Sequence, residues 1–281
     1  MPASPIARIR SMLFMPGNKP ALIAKIPRFA PDVAVVDLED AVALPEKEAA
    51  RRIAAAAIDA LDPSETSTIL VRVNPVDSAW FSDDLAIAAE CAAAGIVVPK
   101  LSTVQQLRRV HDALASLSWS SAVIVGGIET VLGVADARSL LTGGLSAGYF
   151  GAEDYIADIG GRRSPEGAEV LYARSQVCLA AHLAGVPAID QAVVELGDDE
   201  RFRTDARLGA GIGYQGKLCI HPRQVELAHE TFTPSPEEVA HARLVLTAGE
   251  AGVALVDGQM VDDVHVRMAH TVLARAGEAR V

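Results

Sequence analysis

The chain has 281 residues, of which 50% are hydrophobic and 4% aromatic, and its formal net charge is -11. This charge disfavours binding to nucleic acid or anionic lipid, and the 25 Lys and Arg residues form no dense run. No apolar run approaches the ~18 residues of a membrane span, and the N-terminal stretch reaches Pro16-Gly17 before a secretory signal could form. Three widely spaced cysteines exclude a disulfide framework. We therefore expect a soluble, cytoplasmic protein.

Eight runs of apolar and β-branched residues, bounded by Gly, Pro, Asn or Asp, predict eight strands. In chain order they are residues 11–17, 33–40, 68–75, 95–100, 121–130, 147–155, 186–191 and 216–222. Ala-rich, charged segments with helical spacing separate them, and several of these segments end in Gly. Strands that alternate with helices pair in parallel, and eight such units in about 220 residues are typical of a (β/α)8 TIM barrel.

The predicted barrel occupies residues 8–230, and residues 231–281 form a C-terminal helical or lid-like extension. Within the extension, "GVALVDGQMVDD" resembles a short hairpin or an extended lid between two helical segments. No long Ser-, Gly- or Pro-rich linker precedes it, so we expect an addition to the barrel and not a free domain.

Polar side chains follow the predicted strands, at the end where barrels of this kind carry their active sites. Seven of the eight strand ends have an ionisable side chain within one or two residues of the last apolar position. The polar residues are Asn18 and Lys19, then Asp37, Glu39 and Asp40, then Arg72 and Asn74, Lys100, Glu129, Glu153 and Asp154, Asp190 and His221. A single carboxylate can be a helix cap. The set as a whole indicates a functional site.

Glu129 and Asp154 follow consecutive predicted strands and are flanked by short residues in "GGIET" and "FGAEDY". Neighbouring parallel strands lie ~5 Å apart, so two such carboxylates can meet at one ion. Mg²⁺ takes one or two protein carboxylates and leaves its other positions to waters and substrate oxygens. The seven His are dispersed, which disfavours zinc. His221 lies at a strand end and can be either a site residue or a structural residue that fixes the last loop. The pattern predicts Mg²⁺, with Mn²⁺ as the alternative.

Arg72 ends the third predicted strand, where a guanidinium can hold an anion bidentately beside the metal. This combination is suited to a 2-oxo acid or hydroxy acid and to the stabilisation of enolate or alkoxide charge. Lys19 precedes Pro20, which can open a helix, so this helix N-terminus is a weak candidate phosphate site. Dinucleotide-binding, Walker and Gly-X-Ser-X-Gly motifs are absent from the sequence.

Eight motifs between residues 8 and 275 resemble, in order, those of the citrate lyase β-subunit-like branch of the HpcH/HpaI aldolase superfamily. They are "RSMLFMPGNKP", "DLEDAV" followed by "EKEAAR", "VRVN", "VPK", "IET", "FGAEDY" followed by "DIG", "GKLCIHPRQV" and F-X-"PSPEEV". The resemblance implies a TIM barrel, usually a homotrimer or hexamer, that binds Mg²⁺. It also implies that this barrel makes or cleaves the carbon–carbon bond between an acyl thioester and a 2-oxo acid.

The resemblance also implies roles for individual residues. Glu129 and Asp154 would be the metal ligands, which agrees with the choice made from the residues, and Arg72 would contact the substrate and the enolate oxygen. In the C-terminal segment, Asp262 would reach the active site of a neighbouring subunit and exchange a proton with the acetyl carbon. Asp263 is the nearby competitor for that role.

The CoA part of the substrate is assigned to a separate group of residues by the same resemblance. Phe14, Lys19 and Lys25 would contact it, and His221 with Pro222 would lie along the same channel.

Three carboxylates in "VAVVDLEDAV" remain outside these ligand sets. We interpret Glu39 and Asp40 as supporting residues that accept hydrogen bonds from metal-bound waters or orient Arg72 and Lys100. Lys100 is counted with them as a substrate-binding residue. Strand alternation places Asp37 on the same side as Glu39, two residues deeper, and we interpret it as structural.

The activity implied is cleavage or formation of a 3-hydroxyacyl-CoA thioester such as malyl-CoA or citramalyl-CoA, with acetyl-CoA and glyoxylate or pyruvate as products. Three alternatives stay open. The chain can be a citrate lyase β subunit that uses an acyl-carrier-protein thioester with α and γ subunits. It can also be a malyl-CoA thioesterase, or a regulatory barrel that binds acyl-CoA without catalysis.

Overall fold

The computed structural model describes residue 6 and residues 8–65, 67–249 and 253–278. The chain divides into two compact units, Met1–His229 and Glu230–Val281. Among the described residues, no helix combines the length and the apolar character that crossing a bilayer requires.

Eight parallel strands of the first unit close into a barrel whose strand order follows the chain. Each strand pairs with the next, and the eighth pairs with the first. The strands are β1 (Ser11–Pro16), β2 (Val33–Asp37), β3 (Thr68–Arg72), β4 (Gly95–Val98), β5 (Val123–Ile128), β6 (Ala147–Phe150), β7 (Ala188–Asp190) and β8 (Gly216–Cys219). The closed ring confirms the predicted TIM barrel.

At least one helix follows every strand, so the pattern of β then α holds eight times. The helices of this part of the chain are α1 (Pro20–Ile23), α2 (Ile26–Phe29), α3 (Lys47–Asp59), α4 (Phe81–Glu90), α5 (Val104–Ser116), α6 (Val131–Ala135), α7 (Ala137–Leu141), α8 (Ala152–Ile159), α9 (Ala168–Ala184), α10 (Asp199–Ile212) and α11 (Pro222–Phe232). A short 3-10 helix, Leu44–Glu46, precedes α3.

The inside of the barrel is a packed apolar core. Alternate residues of the strands supply it, because successive side chains of a strand point to opposite faces. Met12, Val35, Leu70, Val97 and Val125 are examples, each essentially without exposed surface. Functional groups are therefore confined to the rim, where the polar residues follow the strands.

The strands end earlier than the sequence predicts. β6 stops at Phe150 and Gly151 is the N-cap of α8, so Glu153 and Asp154 lie in the first turn of that helix. The prediction that they end the strand is wrong in this detail. Both carboxylates still lie at the carboxyl edge of the barrel, because α8 begins directly beyond β6.

The second unit contains α12 (Pro236–Gly249), β9 (Ala254–Val256), β10 (Gln259–Val261) and α13 (Asp263–Arg275). The two strands pair antiparallel, which confirms the predicted hairpin. Asp257 and Gly258 connect them with φ angles of 52° and 79°, and Asp-Gly is the residue pair that two-residue hairpin turns favour. Ala242, Val245, Val256, Val261 and Ala269 form the small apolar core of this unit.

A buried charge network joins β7 and β8 to the helices outside them. Asp190 and Lys217 are partners in the strand register, and their neighbours Ile189 and Leu218 belong to the barrel core. Alternation therefore turns the side chains of Asp190 and Lys217 outward, to the helices. Asp190 is the last residue of β7, as the sequence predicts, but its side chain points away from the barrel interior.

Two helices complete this network with one residue each. Lys217 Nζ lies 2.7 Å from Asp190 Oδ2 and 2.5 Å from Asp205 Oδ2, and Arg174 Nε donates to Asp190 Oδ1 at 2.7 Å. Two cations and two carboxylates balance one another here. Asp190 is thus a structural residue and neither a site residue nor a helix cap.

Replacement of Lys217 with Met should destabilise the fold strongly. It leaves the buried carboxylates of Asp190 and Asp205 with one cation, and breaking a buried pair in this way typically costs ~3–5 kcal/mol. Urea unfolding followed by circular dichroism measures the loss. The matched control is Arg207→Met, which removes an exposed ion pair with Glu200 and should leave the midpoint almost unchanged. Equal losses in the two variants would contradict this interpretation of the network.

Candidate active site

A cavity of about 310 Å³ opens at the carboxyl ends of the barrel strands. Its lining combines charged side chains, such as Arg72, Glu129 and Asp154, with apolar side chains such as Phe14 and Leu218. Three residues that the sequence singles out, Arg72, Glu129 and Asp154, share this cavity. It also lies where barrels of this fold carry their catalytic groups.

Asp37 holds Arg72 in place from the neighbouring strand. The two residues are partners in the register of β2 and β3, and Arg72 donates from Nε to Oδ1 at 2.7 Å and from Nη2 to Oδ2 at 2.6 Å. Asp37 also accepts the backbone N–H groups of Glu39 and Ala41. Burial lowers the pKa of Arg72, but the Asp37 carboxylate outweighs it and holds that pKa well above the usual range. The guanidinium is a permanent, fixed cation.

Glu39 lies between the two cations of the site. Its Oε1 accepts a hydrogen bond of 2.5 Å from Lys100 Nζ. Its Oε2 is 2.9 Å from Arg72 Nη1, but the angles do not form a hydrogen bond, so this buried oxygen lacks a donor. Asp40 contacts Lys100 alone, at 3.0 Å, and its side chain is 59% exposed. Of these two carboxylates, Glu39 is therefore the one that contacts both Arg72 and Lys100.

Lys100 bridges three carboxylates from two parts of the barrel, the loop after β2 and helix α8. Besides Glu39 and Asp40, its Nζ lies 3.4 Å from Asp154 Oδ1. Burial lowers the pKa of Lys100, but the hydrogen bond and charge of Glu39 outweigh that effect and raise it. The backbone of Lys100 has a φ of 51°, a left-handed conformation that is uncommon for a residue with a side chain. Such strained residues cluster at functional sites.

Glu129 is buried at the end of β5, with 2% of its surface exposed. Its Oε1 accepts the backbone N–H of Lys100 at 2.7 Å and the hydroxyl of Tyr149 at 3.1 Å. Burial raises the pKa of Glu129 to about 7, because Arg72 offsets desolvation only in part and the charges of Asp154 and Glu39 add to it. The positive charge near this carboxylate is therefore too small to offset its burial.

The charges of the site leave room for a divalent cation. Glu153 also lines the cavity but is paired with Arg163. Apart from that pair, five carboxylates face three cations, a surplus of two negative charges. The carboxylates are Asp37, Glu39, Asp40, Glu129 and Asp154, and the cations are Arg72, Lys100 and Lys47, whose Nζ donates to the carbonyls of Leu38 and Glu39.

The donor set fits a hard metal ion of the magnesium type. Within the described ranges, no three His, Cys, Asp or Glu side chains form a ready set of ligands. Mg²⁺ needs no such set, because it binds one or two protein carboxylates and keeps waters or substrate oxygens in the other positions. Glu129 and Asp154, which both line the cavity, suffice for this mode of binding.

The residues assigned to CoA do not all line the cavity. Phe14 lines the cavity, with the guanidinium carbon of Arg72 5.0 Å from its ring centroid. Lys19 and Lys25 are exposed and lie outside the cavity lining. Pro20 opens a helix as predicted, but α1 has only four residues, so its N-terminus adds little to the cation of Lys19.

His221 and Pro222 belong to the start of α11. His221 Nδ1 accepts the backbone N–H of Arg223 at 3.1 Å, and Pro222 is the first residue of the helix. His221 lines a second cavity, about 330 Å³ in volume, while its neighbour Ile220 lines the first. This position agrees with a histidine that pins the last loop.

Asp262 is the N-cap of α13 in the second unit. Its Oδ1 accepts the backbone N–H of Val264 at 2.9 Å and lies 2.7 Å from His265 Nδ1, and that hydrogen bond lowers its pKa. Asp263 is the exposed first residue of the helix. The two carboxylates thus have different environments, and the assignment of either one to a neighbouring subunit's site stays a prediction.

Two residues of the site were missed as functional groups in the sequence. Asp37, interpreted as structural, is the partner that fixes Arg72. Tyr149 is a buried residue of the barrel interior whose hydroxyl reaches Glu129. Alternation along "AGYF" carried a signal, because Tyr149 shares the inward face with Ala147.

Comparisons with known proteins agree with this architecture. A family model described as HpcH/HpaI aldolase/citrate lyase matches residues 10–222. A citrate lyase subunit beta-like protein of Deinococcus radiodurans is 46% identical, over 96% of this chain and 98% of that protein. A (3S)-malyl-CoA thioesterase of Cereibacter sphaeroides is 33% identical, over 95% of this chain and 94% of that protein.

A solved structure extends the likeness to three dimensions. The protein CitE of Mycobacterium tuberculosis, in complex with magnesium, acetoacetate and coenzyme A, superposes with a TM-score of 0.83 and 32% identity. The match covers 97% of this chain and 99% of that chain.

The pKa of Glu129 predicts that the binding of Mg²⁺ strengthens as the pH rises from 6 to 8. A carboxylate must be ionised to bind a metal, and Glu129 is largely protonated below about pH 7 in the metal-free protein. Affinity should rise by at most about tenfold per pH unit below that value and level off above it. Calorimetry in two buffers of different ionisation enthalpy detects the released proton. Binding without proton release across this range would contradict the prediction.

Proposed function

Because this chain belongs to the HpcH/HpaI aldolase/citrate lyase family, we propose that it is a Mg²⁺-dependent carbon–carbon lyase. Its substrate is a 3-hydroxyacyl-CoA thioester such as malyl-CoA or citramalyl-CoA, and its products are acetyl-CoA and glyoxylate or pyruvate. The observation that carries the proposal is one cavity in which a fixed guanidinium, Arg72, faces the carboxylates Glu129 and Asp154.

Glu129 and Asp154 would hold the metal, which as a bound Lewis acid polarises substrate oxygens and offsets the negative charge that grows on them. The relative from Mycobacterium tuberculosis, whose complex holds magnesium, acetoacetate and coenzyme A, supports this choice of ion and ligand class. Glu39 would support the site, because its carboxylate contacts both Arg72 and Lys100.

Arg72 supplies the fixed positive charge. Two of its N–H groups bind Asp37, which leaves the others for the substrate. In the cleavage direction, the substrate hydroxyl gives its proton to solvent, and its oxygen becomes the carbonyl of the 2-oxo acid. The electron pair of the broken bond passes to the acetyl group as an enolate. A preorganised cation opposes charge that develops only on the way to the transition state, and so it accelerates the reaction.

The acetyl carbon must then gain a proton. We assign this transfer to Asp262 of a neighbouring subunit in a trimer or hexamer, with Asp263 as the competitor. The hydrogen bond with His265 lowers the pKa of Asp262, so its carboxylate is ionised in the resting protein. In the cleavage direction it takes up a proton from solvent and passes it to the enolate, and in the synthetic direction it removes a proton from the acetyl group.

The CoA part of the substrate would extend from the cavity past the loop after β1. Phe14 lies at the cavity, and Lys19 and Lys25 are exposed cations suited to phosphate groups. A chain with a net charge of -11 needs such local cations to bind an anionic thioester. His221 and Pro222 stay assigned to the same channel.

Two other activities have a relative that favours them. The Cereibacter sphaeroides thioesterase supports hydrolysis of malyl-CoA, which the same cavity would catalyse if water captured the acyl group. The similarity to a citrate lyase subunit beta-like protein of Deinococcus radiodurans supports a citrate lyase β subunit. For such a subunit we would expect an acyl-carrier-protein thioester as substrate and α and γ subunits as partners.

A panel of CoA thioesters tests the proposal. The purified chain, alone with Mg²⁺, should convert malyl-CoA or citramalyl-CoA to acetyl-CoA and the 2-oxo acid, as identified by mass spectrometry, and EDTA should stop the reaction. Free CoA with malate or citramalate would indicate a thioesterase instead. Turnover only with an acyl-carrier-protein thioester and added subunits would indicate a citrate lyase β subunit.

Arg72→Lys should lower kcat by about 10²–10³, because an ammonium group cannot hold Asp37 and the substrate together as the guanidinium does. Steady-state kinetics on the active thioester measures the effect. Lysine is preferable to alanine here, since Arg72→Ala leaves the buried Asp37 without its cation and endangers folding. The control is Arg109→Lys, a change at an exposed ion pair with Asp77. Full activity of Arg72→Lys would remove Arg72 from the mechanism.

Asp262→Asn should nearly abolish turnover and keep the fold, because asparagine is an equally good N-cap and cannot transfer the proton. Asp263→Asn is the matched control and should stay active. The two variants are compared by kinetics and by thermal unfolding. If Asp263→Asn is inactive and Asp262→Asn is not, the proton transfer belongs to Asp263.

A further inference from the structure

Tyr149 is a polar group within the apolar interior of the barrel. It lies on β6 with 1% of its surface exposed, and its ring meets that of Phe14 edge to face at a centroid distance of 6.1 Å. The side chain also lines the cavity of the candidate active site. A buried tyrosine hydroxyl needs a hydrogen-bond partner, so the choice of partner is informative.

The partner is one particular oxygen of Glu129. Tyr149 donates to Oε1 at 3.1 Å, and the backbone N–H of Lys100 donates to the same oxygen at 2.7 Å. Both acceptor positions of Oε1 are thereby used. Oε2 accepts no hydrogen bond from the residues that the structure describes. It is not fully buried, so part of its surface stays accessible. Oε2 is thus the oxygen that can reach a ligand.

Two glycines make room for this arrangement. Gly127 is the register partner of Tyr149 on β5, and a Cβ atom there would lie 2.4 Å from the tyrosine hydroxyl. A Cβ atom at Gly151 would lie 2.0 Å from Glu129 Oε2. Any larger residue at either position would displace one end of the carboxylate or its donor. The local sequence therefore favours one orientation of Glu129.

We propose that Tyr149 is a positioning residue that, with the Lys100 amide, commits Oε1 of Glu129 to the protein and leaves Oε2 as the single oxygen that binds the divalent cation. This inference rests on the proposed metal site. A carboxylate that is hydrogen-bonded at one oxygen presents the other oxygen in a fixed direction. Residues that hydrogen-bond to a metal ligand commonly change the affinity for the metal by 10–100-fold. Tyr149 acts on the metal site through its hydrogen bond to Glu129.

Tyr149→Phe tests the proposal because it removes the hydroxyl and keeps the ring. Free Mn²⁺, counted by electron paramagnetic resonance during titration of the metal-free protein, should show about 10-fold weaker binding than in the wild type. Gly127→Ala should weaken binding in the same direction, because the added methyl displaces the hydroxyl while the tyrosine remains. Thermal unfolding establishes that each variant is folded.

Tyr214→Phe is the matched control. Tyr214 is equally buried, but its hydroxyl donates to the carbonyl of Arg174 at 2.7 Å, in the charge network outside the barrel. This variant should lose thermal stability and bind Mn²⁺ as the wild type does. If Tyr149→Phe binds Mn²⁺ as tightly as the wild type, the positioning role is overturned and the lyase proposal stands. The same conclusion follows if Tyr149→Phe and Tyr214→Phe weaken Mn²⁺ binding equally. A wild type that binds no Mn²⁺ would instead overturn the proposed metal site itself.

Discussion

The site depends on a surplus of negative charge that the barrel holds at the carboxyl ends of its strands. Parallel pairing brings the ends of β2 to β6 together, and the residues that follow these strands are largely acidic. Arg72, Lys100 and Lys47 offset only part of this charge. Burial raises the pKa of Glu129, and the charges of Asp154 and Glu39 add to this effect. A divalent cation at Glu129 and Asp154, as proposed, would complete the charge balance and let the site hold an anionic oxo acid.

Rigid contacts within the chain keep the charged groups in place. The bidentate pair of Asp37 and Arg72 joins two neighbouring strands at their last residues, so the guanidinium cannot turn away from the cavity. Lys100, in its left-handed conformation, directs its backbone N–H to Glu129 and its ammonium to Glu39. Groups that are fixed before the substrate arrives need no reorganisation during the reaction, and this is the main source of electrostatic catalysis.

The strand count, the closed barrel and the carboxylate pair Glu129 and Asp154 could be predicted from the sequence, because each depends on local pattern and on the order of elements. Pairing register and the direction of each side chain depend on closure of the barrel and could not. For this reason Asp37 was interpreted as structural and Tyr149 was overlooked. Asp190 was placed among the site residues, although it shares its strand register with Lys217 and points to the helices.

The central claim is that Glu129 and Asp154 form a divalent cation site inside the barrel. Anomalous diffraction from a crystal soaked in Mn²⁺ and pyruvate tests it most directly. The account predicts one strong peak between Glu129 Oε2 and the carboxylate of Asp154, with pyruvate oxygens beside the ion and within reach of Arg72. A cavity without such a peak, with Lys100 still bridging the carboxylates, would contradict it.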